Sequence, residues 1–146
     1  MQPSRVLIHC HYHSNNFKPF TNHVIDELLF NDHFSIQYRV ARRGVEMLTI
    51  DGKMVYSTCS LNPIEDEAVL HRLLVEAKGS LELVDVAHKL PGLKYVKGLS
   101  HWVVMNRDLT VYEKPEDVPD AIKNLIRPNI FPPTAEDAKQ FHFDRW

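Results

Sequence analysis

One of the two cysteines of this chain stands where a reactive thiol is typically found. Cys59 follows an apolar run, residues 53–58, and precedes Asn62-Pro63, a pair that favours the start of a helix. Ligands bind at strand ends in α/β sheets, and the amides of a helix N-terminus stabilise a thiolate. The carboxylates at 65–67 oppose that effect. The position therefore fits either a nucleophile or an inert cysteine that ends a core strand.

Two other kinds of cysteine enzyme were compared with this pattern. A cysteine phosphatase needs an arginine in a glycine-rich cradle after the nucleophile, and the corresponding residue here is Glu65. We therefore exclude that class. A Cys–His hydrolase stays open, because His71, His88 and His101 are available and a sequence gives no distances between them and the thiol.

A histidine-rich stretch near the start of the chain raises the question of a metal. If His9, Cys10, His11 and His13 lie on a strand, the three histidines share one face and could hold zinc. The usual second pair of ligands is missing from the spacing. We therefore predict no metal site.

Composition limits the class of protein. The 146 residues suit one domain, and 44% apolar with 25% charged residues is typical of a globular chain. A net charge of −2 is not the basic balance common in nucleic-acid-binding proteins, although a local basic patch is compatible with it. Two cysteines do not indicate a disulfide framework and favour a reducing compartment. No run predicts a membrane span or a secretory signal.

Periodicity predicts alternating strands and helices in the first part of the chain. The predicted strands are 5–13, 53–58 and 81–86, and the predicted helices begin at Asn22, at Asn31 or Asp32, and at Asn62. The second helix is predicted to turn four residues inward: Ile36, Val40, Val45 and Leu48. Its other face carries three arginines: Arg39, Arg42 and Arg43. The helix that begins at Asn62 is predicted to end at Gly79. The strand–helix–strand order over 53–86 suggests a βαβ crossover and an α/β fold.

The later part of the chain is predicted to hold a hairpin, a loop and a last helix. Residues 101–105 and 109–112 flank a turn signal and predict the hairpin. Five prolines predict an extended loop over 114–134, with one short helix at 117–125. Thr134, three residues before Asp137, predicts the start of the last helix.

A family resemblance is carried by the residues around Cys59. The run at 52–69, GKMVYSTCSLNPIEDEAV, closely resembles the Thr-Cys signature of the Sun-type RNA cytosine-5 methyltransferases, and looks most like their eukaryotic tRNA-methylating branch. The resemblance continues in further segments, namely 36–41, 43–44, 82–86, 90–94, 102–105, 126–133 and 142–145. The Thr-Cys run is highly specific for the family, and 126–133 is specific for that branch.

The resemblance implies a chemistry and a set of partners. In the family, the thiolate that matches Cys59 attacks carbon 6 of a cytosine, and carbon 5 then takes a methyl group from S-adenosylmethionine. The implied substrate is RNA, in this branch tRNA, with no DNA or membrane partner, and the implied location is the nucleus or nucleolus. Five residues are candidates for RNA contact: Arg39, Arg42, Arg43, Arg127 and Phe131. The alternatives are a solvated helix face for the first three, and packing of the loop against the domain for the last two.

Two motifs of the family are absent from this sequence. The family binds its methyl donor with a glycine-rich loop after the first strand, and the five glycines here form no G-x-G arrangement. The upstream Asp-x-Pro-Cys motif is missing too, because the chain has no Pro-Cys pair. We therefore predict no donor-binding residues in this chain. A non-catalytic remnant that binds RNA or a protein is the alternative to a methyltransferase.

The resemblance divides the chain into three parts. Residues 1–35 are expected to form an N-terminal segment that resembles no part of the family. Residues 36–86 are expected to form the later half of a Rossmann-like methyltransferase core. Residues 87–146 are expected to hold the branch-specific loop, the hairpin and a truncated C-terminal helix. The expected fold is thus α/β: the incomplete C-terminal portion of a Rossmann-like sheet, with a small hairpin and loop insertion.

Overall fold

A computed structural model describes residues 4–8, 27–89, 91–92, 94 and 97–143. The helices are α1 (Glu27–Glu46), α2 (Glu67–Ala77) and α3 (Ala135–Gln140). The strands are β1 (Ser4–Ile8), β2 (Lys53–Tyr56), β3 (Leu81–Leu83), β4 (Val104–Met105) and β5 (Val111–Tyr112). Short 3-10 helices lie at Ala87–Lys89, Pro115–Asp117, Asp120–Ile122 and Pro128–Ile130.

The strands β1, β2 and β3 form a parallel sheet with β1 in the centre. In its register Arg5 pairs with Lys53 on one side, and Val6 pairs with Leu83 on the other. Helix α2 connects β2 to β3 and so crosses over β1, which confirms the predicted βαβ crossover and the α/β class. The central strand comes from the segment 1–35, for which the sequence predicted no place.

Helix α1 is longer than predicted. It runs unbroken from Glu27 to Glu46, so the helix start predicted at Asn31 or Asp32 is wrong. The helix start predicted at Asn22 and the second half of the strand predicted at 5–13 lie outside the described residues. An asparagine or aspartate inside a helix costs only a fraction of a kcal/mol, about 0.7 at most, and packing routinely outweighs that preference.

Helix α1 also buries a different face from the one predicted. Its buried and half-buried apolar side chains follow one another at helical spacing, namely Phe34, Tyr38, Ala41 and Val45, and Leu48 follows just after the end of the helix. Ile36 and Val40 are exposed, so their predicted inward position is wrong. A step of about 100° per residue turns Ile36 to the side opposite Phe34.

Polar and aromatic groups join α1 to α2. The Tyr38 hydroxyl donates to the Glu76 carboxylate, and the Arg72 guanidinium lies 3.8 Å from the centre of the Tyr38 ring. Arg72 also donates from Nε to Glu76 at 2.8 Å. Burial, together with the bond to Glu76, raises the pKa of Tyr38. The contacts of Tyr38 with Arg72 and Glu76 hold α1 against α2, and these are the two helices that precede and follow Cys59 in the sequence.

Strand β2 was predicted to be a buried strand over 53–58, and this is wrong in length and in burial. The strand ends at Tyr56, and its side chains alternate between exposed and half-buried. Val55 is 57% exposed. The reason is topological, because β2 pairs with β1 alone and lies at an edge of the three-stranded sheet.

Helix α2 begins four residues after Pro63, the predicted first position. Residues 63–66 form turns, and the helix proper starts at Glu67 with Asp66 as its N-cap. The helix ends as predicted, where Gly79 takes a φ of 86°. This left-handed conformation carries no steric penalty for glycine.

The C-terminal half follows its prediction except at one helix. Strands β4 and β5 pair antiparallel, which confirms the hairpin. Helix α3 begins after Thr134, whose Oγ1 accepts the amide of Asp137 at 3.1 Å, as predicted. The short helix predicted at 117–125 is reduced to one 3-10 turn at Asp120–Ile122, and a separate 3-10 turn at Pro115–Asp117 precedes it. Pro119 stands between them and lacks the amide that a continuous helix would use.

A single apolar core lies between α1, α2, β3, the hairpin and the C-terminal loops. Its buried members are Phe34, Tyr38, Ala41, Ala68, Val69, Leu70, Leu73, Leu74, Leu81, Leu83, Trp102, Val104, Tyr112, Val118, Ile126, Ile130, Phe131 and Phe143. Helix α2 supplies the largest share. In the part of the chain that the structure describes, no helix has the length and apolar character needed to cross a membrane.

Candidate active site

The Cys59 turn, defined here as residues 57–62, connects the end of β2 to the turns before α2. Cys59 is a free thiol and its residue is exposed. The carboxyl end of a parallel strand is the edge where α/β proteins bind their ligands. Of the two interpretations open from the sequence, an inert cysteine buried at the end of a core strand does not fit this exposure.

A threonine directly before Cys59 shapes the turn. The Thr58 Oγ1 atom accepts the amide of Ser60 at 3.0 Å, so its side chain closes a small ring around Cys59. The same hydroxyl donates to Oδ1 of Asp66 at 2.7 Å. Thr58 therefore ties the backbone on the far side of Cys59 to the start of α2.

Two polar side chains continue this local order up to the helix. The Ser60 hydroxyl accepts the amide of Asn62 at 3.1 Å, and Oδ1 of Asn62 accepts the amide of Ile64 at 3.1 Å. Such side-chain bonds to the backbone offer the chain an alternative to helix formation. The Asn62 bond is also the one that an N-cap residue makes, so Asn62 caps the turns at 63–66, and the continuous helix begins only at Glu67.

The turn is also attached to α1 through a second set of hydrogen bonds. The Tyr56 hydroxyl lies 2.6 Å from the carbonyl oxygen of Glu65 and 2.5 Å from Oε1 of Gln37. Gln37 donates from Nε2 to Oε2 of Glu65 at 2.9 Å. The last residue of β2, helix α1 and the approach to α2 are thus joined on one side of Cys59.

Three consecutive carboxylates lie at the start of α2 and have different partners. Glu65 accepts from Gln37, Asp66 from Thr58, and Glu67 from the amide of Leu99 at 2.8 Å. Asp66 is only 5% exposed. Burial raises its pKa to about 6, the neighbouring charges of Glu67 and Glu65 add to that effect, and the hydrogen bond from Thr58 opposes it.

The candidate arginines for RNA contact are all exposed. Arg39, Arg42 and Arg43 lie on one stretch of α1, and the last two pair with Glu46 at 3.2 and 3.0 Å. Arg127 is exposed as well and donates to the carbonyl oxygen of Asn124 at 3.2 Å. Their exposure is compatible both with phosphate contact and with a solvated face.

Phe131 lies in the apolar core, whereas a contact with RNA requires an exposed side chain. It is 5% exposed and belongs to the apolar core. The neighbouring Ile130 is buried too, and its carbonyl oxygen accepts the indole N–H of Trp102 at 2.8 Å. A side chain with almost no exposed surface has none to offer to a base. The structure therefore corrects the RNA-contact role for Phe131 and favours the alternative, in which it packs the loop against the domain.

Three histidines were considered as partners for Cys59; His88 and His101 are exposed, and His71 is engaged elsewhere. The His71 ring makes edge contacts with Phe141 and Phe143. Its Nε2 atom is buried and lies 3.3 Å from Oδ2 of Asp137, an ion-pair distance without hydrogen-bond alignment. Burial lowers the pKa of His71, and the nearby Asp137 charge opposes that shift. This arrangement serves packing of α2 against the C-terminal residues.

The residues considered as zinc ligands fall outside the described residues, since His9, Cys10, His11 and His13 belong to 9–26. Within the described ranges, no group of three or more histidine, cysteine, aspartate or glutamate side chains is arranged to hold a metal ion.

Comparison with known proteins supplies the decisive observation. The chain is 45% identical to a Drosophila melanogaster tRNA (cytosine(34)-C(5))-methyltransferase over 117 residues, which cover 80% of this chain and 16% of that protein. It is 39% identical to a multisite-specific tRNA:(cytosine-C(5))-methyltransferase of Schizosaccharomyces pombe over 119 residues, which cover 79% of this chain and 17% of that protein. The chain is a homologue of one segment of the tRNA cytosine-C5-methyltransferases.

A third member of these methyltransferases agrees. The multisite-specific tRNA:(cytosine-C(5))-methyltransferase of Saccharomyces cerevisiae is 38% identical over 108 residues, which cover 74% of this chain and 15% of that protein. The chain thus spans about a sixth of the length of the curated relatives it matches. Because the match with the Drosophila protein covers 117 of the 146 residues, it spans the middle of the chain, where Cys59 lies, whichever residue it begins at. No protein-family model and no solved structure matches the chain.

Four of the described glycines do not provide the cradle that a methyl donor of this family needs. A Cβ atom on Gly44 would meet the sulfur of Met54 at 2.7 Å, and one on Gly52 would meet the carbonyl oxygen of Thr49 at 2.8 Å. Gly79 and Gly92 take positive φ angles in turns. These four glycines serve close packing and chain reversal, so none of them fits the donor cradle.

The sequence located Cys59 but missed the residues that hold it. Thr58, Asp66 and the Gln37–Tyr56 pair were not singled out. The available signal was local. A threonine hydroxyl can accept the backbone amide two residues further on, and this bond is a known way to form a turn. Nothing in a run of three carboxylates tells which of them are buried.

Proposed function

We propose that this chain carries the nucleophile of an RNA cytosine-5 methyltransferase, that Cys59 is that nucleophile, and that tRNA is the substrate. The observation that supports this most is the exposed Cys59 thiol at the carboxyl end of β2, within a chain whose relatives bear the name of tRNA cytosine methyltransferases. The finer fold belongs to the same proposal, in which the three parallel strands are part of a Rossmann-like sheet. The proposed location is the nucleus or nucleolus.

The proposed chemistry is covalent catalysis by sulfur. The Cys59 thiolate adds to carbon 6 of cytosine, the carbon–sulfur bond forms, and the ring loses its conjugation between carbons 5 and 6. Electron density then accumulates at carbon 5. A base must leave its stack to meet the thiol, which favours a side chain that stands free of the core. The thiol of an exposed turn at a sheet edge meets that requirement.

No site for the methyl donor is placed among the residues that the structure describes. Four of the described glycines, namely Gly44, Gly52, Gly79 and Gly92, do not form its cradle, and no step through S-adenosylmethionine is derived from these residues. This observation favours the second candidate function, a non-catalytic remnant that binds RNA or a protein. The two candidates differ in one property, which is whether Cys59 forms a bond with cytosine.

RNA contact is proposed for the exposed arginines. Arg39, Arg42 and Arg43 present three positive charges on one helix, and Arg127 presents a fourth on a separate loop. Each phosphate contact makes binding weaker at higher salt. Replacing an arginine that contacts phosphate is expected to reduce the slope of log affinity for RNA against log salt concentration by about 1.

Covalent capture decides between the two candidates. A tRNA that carries 5-azacytidine is incubated with the chain, with and without S-adenosylmethionine, and the products are separated under denaturing conditions. The electron-poor ring favours addition of a thiolate at carbon 6. A covalent complex that Cys59→Ala abolishes, and that the matched control Cys10→Ser retains, supports the methyltransferase proposal. Reversible binding that is the same in the wild type and Cys59→Ala supports the remnant.

A further inference from the structure

The three carboxylates at the start of α2 do not act alike, and the difference points to a role for the middle one. Glu65 is bonded to Gln37 of α1 and to the side-chain amide of Asn62 at the end of the Cys59 turn, and Glu67 is bonded to the backbone amide of Leu99. Asp66 accepts the hydroxyl of Thr58, the residue next to Cys59. Asp66 is therefore the carboxylate bonded directly beside Cys59, and it is the least exposed of the three.

Asp66 is placed as the N-cap of α2 yet does not use its side chain as a cap. An N-cap aspartate ordinarily accepts an amide from the first turn of its own helix. Here the side chain makes no such bond, and the residue has φ −114° and ψ −85°. The carboxylate is instead committed to Thr58 at 2.7 Å. An acid that is buried, and that forgoes the usual capping bond, is stabilising something other than its helix.

The bond from Asp66 continues into the turn that carries the thiol. With its hydrogen donated to Asp66, the Thr58 hydroxyl has a fixed orientation, and its oxygen accepts the Ser60 amide at 3.0 Å. Cys59 is the residue enclosed between these two positions. A hydroxyl that donates to a carboxylate is also a better acceptor, since hydrogen bonds in a chain polarise one another.

We propose that Asp66 is a positioning residue for Cys59, acting through the Thr58 hydroxyl to fix the backbone on both sides of the thiol. What the thiol then attacks rests on the function proposed above, whereas the positioning can be measured without RNA. Asp66 does not contact the reacting atoms in this role. It acts by limiting the directions in which the sulfur can point.

The test compares pairs of variants that differ in a single hydrogen bond. Asp66→Asn and Asp66→Ala remove the same charge, but only Asp66→Asn keeps an oxygen that can accept from Thr58. Thr58→Ser and Thr58→Val form a second pair, in which only the serine keeps the hydroxyl. Thr134→Val is the matched control, because it removes a threonine bond at α3 and none at the Cys59 turn.

The first measurement is hydrogen exchange of the Ser60 amide in the full chain, followed by NMR. We expect exchange about tenfold or more faster in Asp66→Ala and Thr58→Val than in the wild type, because the amide loses its ordered acceptor. Asp66→Asn, Thr58→Ser and Thr134→Val are expected to stay near the wild-type rate. If Asp66→Ala does not fold, by circular dichroism, the Thr58 pair provides the same comparison. Equal Ser60 exchange within each pair overturns the proposal.

The second measurement connects the turn to the proposed chemistry. Capture of 5-azacytidine RNA at saturating RNA is expected to slow about tenfold in Asp66→Ala relative to Asp66→Asn, with the RNA dissociation constant unchanged, since a misplaced nucleophile lowers rate rather than binding. A wild-type chain that captures no RNA contradicts the proposed function, and the Ser60 exchange rates still decide the positioning. Equal capture by the two Asp66 variants contradicts the positioning.

Discussion

Two loops next to α2 are fixed by opposite means. The Cys59 turn is fixed by side-chain hydrogen bonds, and its outermost residue is exposed. The loop at 126–131, here called the Phe131 segment, is fixed by the burial of Ile126, Ile130 and Phe131, with one hydrogen bond from Trp102. Hydrogen bonds specify direction at little net gain in stability, whereas apolar burial supplies stability without direction. The difference suits one loop to aiming a reactive atom and the other to supporting the domain.

The apolar side of this comparison is tested by truncating Phe131. Phe131→Ala is expected to lower the free energy of unfolding by about 3–5 kcal/mol, because a buried ring is lost and a cavity remains. Urea unfolding followed by circular dichroism measures the change. The matched control is Val103→Ala, whose side chain is half exposed on the hairpin. Similar losses in the two variants would remove the distinction between the two loops.

The polar side is tested by removing the charge of Asp66. Its pKa in the folded chain is about 6, above the ordinary value of about 3.9 in an unfolded chain. The carboxyl group therefore contributes stability below about pH 4, and this contribution is lost as the pH rises through about 6. Asp66→Asn is expected to raise the free energy of unfolding at pH 8 by on the order of 1–3 kcal/mol relative to the wild type, and to leave it unchanged near pH 4.

One other titrating group must be separated from Asp66 in this experiment. The lowered pKa of His71 contributes stability above its ordinary pKa, and that stability is lost as the pH falls. His71 is present in both the wild type and Asp66→Asn, so its effect cancels when one stability profile is subtracted from the other. If Asp66→Asn is less stable than the wild type at pH 8, burial of the Asp66 charge does not destabilise the folded chain as predicted.

A third prediction concerns the hydrogen bond from the Asp137 amide to Thr134 at the start of α3. Like the bond from the Ser60 amide to Thr58, it joins a backbone amide to a threonine hydroxyl, but it caps a helix. Thr134→Ala removes the oxygen that accepts the amide of Asp137 and is expected to cost about 1 kcal/mol. Thr134→Ser keeps that oxygen and should cost less. Thermal unfolding measures both, and an unchanged melting temperature in Thr134→Ala would show that α3 is held by packing alone.

The smallest effect is expected at the surface pairs of α1. Arg43→Ala breaks an exposed contact with Glu46 and should change the free energy of unfolding by less than about 0.5 kcal/mol. The same variant should weaken tRNA binding if Arg43 contacts phosphate, which a filter-binding titration at two salt concentrations measures. A large loss of stability would mean that Arg43 serves the fold.

Local signals allowed the sequence to predict part of this molecule. The Asn-Arg-Asp turn identified the hairpin, Thr134 identified α3, and the strand–helix–strand order identified the crossover. Each of these depends on residues close together in the chain. The sequence also placed Cys59 just after a strand, but it left open whether the thiol is exposed.

Long-range packing determined what the sequence did not predict. The central position of β1 depends on pairing with residues near 53 and near 82, and no pattern within 4–8 contains that information. Helix α1 has apolar residues on two sides, so its buried face is decided by its neighbours. Burial of Asp66 and of Phe131 is decided in the same way, by what packs against them in space.

The central position of β1 has a consequence for how the chain acquires its structure. Because β2 and β3 both pair with β1 and not with each other, the sheet cannot be assembled from adjacent pieces in order. The first strand must wait until residue 83 has been synthesised before both of its edges are covered. Contacts between distant parts of a chain form slowly, so the β4–β5 hairpin is expected to form faster than the sheet. The Cys59 turn would then reach its final geometry late in folding, after β2 has found its partner.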